Sequence, residues 1–114
     1  MDEAQYQKGV EQFAQMVGRE KIDALREKFQ ALSPDFERLV MGTIGGEVWN
    51  RPDITRRQRM VCSVAAFTAI DAESQSRKFF RSALNVGLTK DEIVEIIMQT
   101  GPYSGFPRAL NALV

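Results

Sequence analysis

Ala83-Leu84-Asn85-Val86-Gly87-Leu88-Thr89-Lys90-Asp91-Glu92-Ile93 contains the end of one helix and the start of the next. Gly87 follows a stripe made of Phe79, Phe80, Ala83 and Leu84, and glycine is the residue on which helices most readily stop. Thr89 with Glu92 three residues later forms a capping box. The hydroxyl accepts from a free amide of the first turn, and the glutamate reaches back to the threonine N–H. Ile93, Ile96 and Ile97 then open a new apolar stripe. A stop and a start this close together predict two helices joined by a short turn.

The same signals recur in both directions. Gly101-Pro102 closes the isoleucine helix, and a short final helix begins near Pro107. Upstream, Thr55-Arg56-Arg57-Gln58 is a second capping box, and Asn50-Arg51-Pro52-Asp53 before it is a loop. Phe36, Leu39, Val40 and Ile44 form a helix that Gly45-Gly46 ends or nearly ends, with Ser33 as N-cap and Pro34 in the first turn. Ile22, Leu25, Phe29 and Leu32 make another stripe, as do Tyr6, Val10, Phe13 and Val17 before Gly18. No alternating strand competes and no repeat appears. The pattern predicts an all-α fold, a compact bundle of about six to seven helices in a single domain over residues 1–114.

Composition narrows the function. The chain has 114 residues, 15 basic and 15 acidic, with 44% hydrophobic and 26% charged content, as in ordinary globular proteins. Balanced charge without a basic arm makes nucleic acid and anionic membranes poor partners. The polar start Met-Asp-Glu-Ala-Gln-Tyr does not read as a secretory signal, and no apolar run approaches the roughly 18 residues of a membrane span. Cys62 is the single cysteine, so a reducing cytoplasm is expected and no disulfide framework exists. From Met60 to Ile70 only Cys62, Ser63 and Thr68 interrupt an apolar run, and Cys62 reads as a small core residue. A helix apolar on nearly every side needs cover all round, which predicts a homo-oligomer.

Gly45-Gly46-Glu47-Val48-Trp49-Asn50-Arg51-Pro52 carries the chemistry. An acid, a base and the only tryptophan crowd the break between two helices. A carboxyl dried by an indole gains a raised pKa, which suits proton transfer near neutrality. The chain has no histidine, the side chain most used for that work. Metal and nucleotide cofactors are not expected, because neither ligand spacing nor a Gly-rich phosphate loop appears.

Glu47-Val48-Trp49-Asn50-Arg51-Pro52, with Arg56 to Arg59 opening an apolar helix, resembles the carboxymuconolactone decarboxylase family. The likeness continues through residues 83–93 and ends with Gln99, Tyr103, Gly105, Pro107 and Ala109-Leu110, spanning about residues 25–114. It implies a small all-α domain assembled as a trimer or hexamer. One branch of the family decarboxylates 4-carboxymuconolactone in aromatic catabolism. Another, the alkylhydroperoxidase-like branch, reduces peroxides with Cys-x-x-Cys. Both usually carry a histidine where this chain has Phe79, and the redox pair's positions hold Ala72 and Gln75. Peroxidase chemistry of the dithiol kind is therefore not expected.

The resemblance implies a lyase acting on a small carboxylated lactone or related acid. Glu47 would carry the proton and Tyr103, in the Gly-Pro-Tyr-Ser-Gly-Phe-Pro turn, would hydrogen-bond the oxyanion. Arg51 would clamp a substrate carboxylate beside Trp49, with Phe79 as an apolar wall. Plainer readings stand beside these. Glu47 can pair with Arg51, Arg56 or Arg57, Trp49 can be core or interface, and Tyr103 can seal a turn. Arg77, Lys78 and Arg81 can form a solvated face. The alternative function is a non-catalytic or ligand-binding relative that keeps the oligomeric scaffold.

Overall fold

The computed structural model describes residues 2–71 and 73–114. The side chains of residues 73–76 and 78 lie outside that description, so the expectations placed on Ala72, Gln75 and Lys78 fall outside the described residues. Every described element is helical. They are α1 (Glu3–Val17), α2 (Ile22–Leu32), α3 (Pro34–Leu39) leading into a π-helical segment (Val40–Val48), α4 (Arg56–Ala69), α5 (Glu73–Asn85), α6 (Lys90–Ser104) and α7 (Phe106–Leu113). The helices form two compact units, Met1–Ile54 and Thr55–Val114. Among the described residues no helix is long and apolar enough to cross a membrane.

In the first unit the predicted signals act where expected. The Asp2 carboxylate accepts from the Gln5 N–H at 2.7 Å to start α1, and Gly18 ends it at φ 104°. Ser33 caps α3 by accepting from the Phe36 N–H at 3.3 Å, with Pro34 in the first turn. The expectation for Gly45-Gly46 is corrected, because the helix runs through both to Val48. These glycines serve packing rather than termination. A Cβ on Gly45 would lie 2.7 Å from the Gly9 carbonyl oxygen, and one on Gly46 would lie 2.2 Å from that of Gln5. Bare backbone thus lets α1 and the π segment touch. The π register shows at the end of the segment, where the Trp49 N–H donates to the Ile44 carbonyl, five residues back, at 2.9 Å.

Tyr6, Phe13, Ala14, Met16, Ile22, Met41 and Trp49 form the apolar interior of this unit. Within it sits a charge that the sequence reading did not anticipate. Glu37 is 1% exposed. The Tyr6 hydroxyl donates to its two oxygens at 2.7 and 2.9 Å, and Arg26 Nε donates to Oε1 at 3.1 Å. Arg26 also donates to the Tyr6 oxygen at 2.7 Å, while the Arg38 guanidinium lies over the Tyr6 ring, 4.2 Å from its centroid. Burial, then the hydrogen bond to the Glu37 carboxylate, pushes the Tyr6 phenol above its ordinary pKa against the opposing pull of Arg26. For Arg26 burial acts downward, but bonds to Tyr6 and Glu37 leave it raised. α1, α2 and α3 are tied by one satisfied polar cluster.

In the second unit both capping boxes are complete, at Thr55–Gln58 and Thr89–Glu92. α4 buries Met60, Val64 and Thr68, one side chain per turn, and packs against α5, α6 and α7. Cys62 lies off that stripe and is exposed, which corrects its reading as a core residue. Gly87 stops α5 as predicted, at φ 105°. Gly101-Pro102 does not stop α6; the helix continues to Ser104 and Gly105, at φ 99°, is the stop. Gly101 keeps a helical backbone and is bare because the Phe106 ring packs there, 2.4 Å from where a Cβ would sit. Pro102 removes one hydrogen bond close to the helix end, where the loss is small.

Candidate functional site

Glu47, Trp49 and Arg51 sit together at the C-terminal end of the π segment. Trp49 is the anchor, with its indole turned inward and 7% exposed. Its carbonyl accepts from Gln12 Nε2 at 3.0 Å. The turn after it is held by Asn50 Nδ2 donating to the Gly46 carbonyl at 3.2 Å and by the Arg51 N–H donating to that of Val48 at 3.3 Å. Glu47 and Arg51, two residues to either side of the indole, both face solvent. The expected drying of Glu47 by the tryptophan is therefore corrected for the single chain: the indole is inside and the carboxylate outside. Arg51 lies 3.9 Å from Asp53, an exposed pair that contributes at most about 1 kcal/mol. Arg57, offered as a partner for Glu47, pairs instead with Glu92.

In the second unit Phe79 is half-buried and packs on Phe67, with ring centroids 4.7 Å apart and planes at 51°. Tyr103 lies in the last turn of α6 rather than in an irregular turn. It is 85% exposed, so it does not seal anything within the chain. Its ring lines a shallow depression of about 390 Å³ between α4 and α6, together with Ala65, Ala66, Ala69, Gln99, Thr100 and Ser104. Phe79 is not among the lining residues. Arg77 and Arg81 are exposed, as a solvated face requires. Among the described residues no group of three or more His, Cys, Asp or Glu side chains is arranged to hold a metal.

Chemically, the first unit offers an accessible acid and an accessible guanidinium on one fixed backbone turn, and the second offers an accessible phenol above small side chains. A planar guanidinium suits a carboxylate, and a phenol suits an oxyanion. The sequence reading missed Glu37 altogether, although a signal for it existed. Glu37, Met41 and Gly45 follow one another at four-residue steps, and all three are buried. An acid in register with a buried methionine and a packing glycine is a candidate buried charge.

Residues 34–114 match the family described as the carboxymuconolactone decarboxylase family. The chain belongs to that family. Its similarity to 4-carboxymuconolactone decarboxylase of Acinetobacter baylyi is 30% identity over 112 residues, covering 98% of this chain and 84% of that protein. Nitrosuccinic acid decarboxylase of Metarhizium robertsii is 27% identical over 110 residues, covering 96% and 76%. Both relatives are named as decarboxylases. The carboxymuconolactone decarboxylase match takes in Glu47, Trp49, Arg51, Phe79 and Tyr103. Tyr6, Gln12 and Arg26 precede it, so the contacts to Glu37 and to the Trp49 carbonyl join matched residues to a segment outside the match.

Proposed function

We propose that the chain is a decarboxylase-like lyase acting on a small carboxylated lactone or a related activated acid, with Glu47 carrying the proton that replaces carbon dioxide. One observation supports this reading beyond the likeness to two decarboxylases. Trp49 is locked in the interior while the acid and the base flanking it are left accessible.

In the proposed step, the bond from carbon to the carboxylate breaks and its electron pair stays on carbon. A neighbouring electron-withdrawing group takes up that charge, a lactone carbonyl in one case and a nitro group in the acid for which the fungal relative is named. Such a substrate carries its own electron sink, so the chemistry calls for no cofactor. Arg51, on the same backbone turn as Glu47, holds a carboxylate through two parallel N–H bonds. The second unit, taken by itself, offers the Tyr103 hydroxyl as a donor suited to an oxyanion and the Phe79–Phe67 pair as apolar surface. Glu47 transfers its proton to the carbanion and is reprotonated from water.

A carboxylate open to water is poorly suited to that role, and assembly supplies the missing cover. A second copy in a trimer or hexamer covers Glu47 and dries it. Leu32, Leu39, Phe106 and Leu110 are exposed apolar side chains that such an assembly has reason to cover. A monomeric mass in light scattering at micromolar concentration contradicts this part.

The test of the chemistry is the ultraviolet absorbance of carboxymuconolactone incubated with the protein. Turnover is expected in the parent and about a hundredfold less in Glu47→Gln, which keeps the shape and loses the acid. A second reading, a ligand-binding relative without catalysis, is favoured by two features: the chain has no histidine, and Phe79 packs against Phe67. Absence of turnover in both the parent and Phe79→His selects that reading.

A further inference from the structure

Gln5 and Gln12 lie two turns apart on the face of α1 that meets the π segment. Gln5 Nε2 donates to the Gly42 carbonyl at 3.0 Å, near the start of that segment, and Gln12 Nε2 to the Trp49 carbonyl at 3.0 Å, just past its end. The second bond answers a specific need. The Trp49 carbonyl is at a helix C-terminus, where internal donors run out, and the residue three positions on is Pro52, which has no N–H. A donor must come from elsewhere, and Gln12 is a 6% exposed amide brought there by the bare backbones of Gly9, Gly45 and Gly46.

We infer that Gln12 is a positioning residue for Glu47 and Arg51: by donating to the carbonyl of the residue midway between them, it fixes the backbone from which both side chains leave. It touches no substrate. Its kinetic consequence rests on the lyase reading above; its structural consequence does not. Glu47 must meet a carbanion at proton-transfer distance, where a misplacement of about 1 Å costs up to about a hundredfold. Arg51 has a long, flexible chain that can re-reach a carboxylate after a small backbone shift. Loss of the Gln12 bond therefore acts on kcat more than on KM.

Two variants of matched size test this. Gln12→Met keeps the length and removes the donor. Gln12→Glu keeps the shape and donates only when its carboxyl is protonated. Trp49 is the only tryptophan, so intrinsic fluorescence reports on this one carbonyl's neighbourhood. In Gln12→Met the emission of the folded protein is expected to shift red and to quench more readily with acrylamide at every pH. The same variant should lose about tenfold or more in kcat/KM, mostly in kcat. In Gln12→Glu the emission behaves like that of Gln12→Met at neutral pH and returns toward the parent's as the pH falls. A Gln12 that only adds stability would lower the melting midpoint of both variants while leaving folded-state emission, quenching and kcat as in the parent, and that result overturns the inference. If the parent shows no turnover the lyase reading fails, and the fluorescence comparison alone decides whether Gln12 holds this turn.

Discussion

Gly9→Ala is expected to lose more than about 4 kcal/mol of stability in urea or to fail to fold, a loss outside the range of ordinary substitutions. A methyl group at this position would stand 1.7 Å from the Met41 carbonyl oxygen and 2.5 Å from its carbon. Both are backbone atoms of the π segment, so no rotamer change relieves the clash; α1 must move away. Separating the two helices strains the bonds from Gln5 and Gln12 and opens the interface that buries Phe13, Met16 and Met41. Gly87→Ala is the control. Gly87 has φ 105° but nothing within 4 Å of an added Cβ, so only backbone strain is introduced, at about 1–3 kcal/mol. Equal losses for the two variants would show that α1 and the π segment are not in backbone contact.

Arg26→Met is expected to cost about 3 kcal/mol through Glu37, although Arg26 itself is part-exposed. Removing the guanidinium leaves a carboxylate that is 1% exposed with the Tyr6 hydroxyl as its remaining donor in the cluster. A buried charge stripped of its counter-charge is far more costly than the intact pair is stabilising. The double variant Arg26→Met with Glu37→Met should therefore regain much of the loss, since it replaces the pair by apolar volume. The cycle is read from urea midpoints. A loss below about 1 kcal/mol for the single variant would mean that water reaches Glu37 and the cluster is not a buried one.

The residues that made the fold legible are those whose signals act within one turn. Ser33-Pro34, Thr55–Gln58 and Thr89–Glu92 satisfy amides three residues away, and Gly18 and Gly87 adopt left-handed backbone where they stand. Such devices need no knowledge of the rest of the chain. Gly45-Gly46 and Gly101 misled because their reason for being glycine lies across an interface, at Gln5 and Gly9 in one case and at Phe106 in the other. The π register was equally invisible, since it depends on bonds five residues back that leave no mark in apolar spacing. Glu37 hid for a related reason: its partners are 31 and 11 residues away.

For the site, the cluster of Glu47, Trp49 and Arg51 was legible as a juxtaposition because all three lie within one helix end. That Glu47 faces water was not. Trp49 is a core residue, as one of its readings had it, because its large apolar surface gains most from burial. Tyr103 likewise belongs to an extended α6 that the Gly-Pro pair was expected to end. The identity of the residues was informative; their orientation depends on packing partners that sequence spacing does not reveal.

In the proposed lyase, Glu47 delivers the proton to the carbon that loses carbon dioxide. The most direct test runs carboxymuconolactone with the protein in D2O and follows carbon dioxide release together with deuterium in the product. Release is expected with one deuterium placed on a single face of the reacting carbon, falling about a hundredfold in Glu47→Gln. No release by the parent, or release undiminished in the variant, would contradict it.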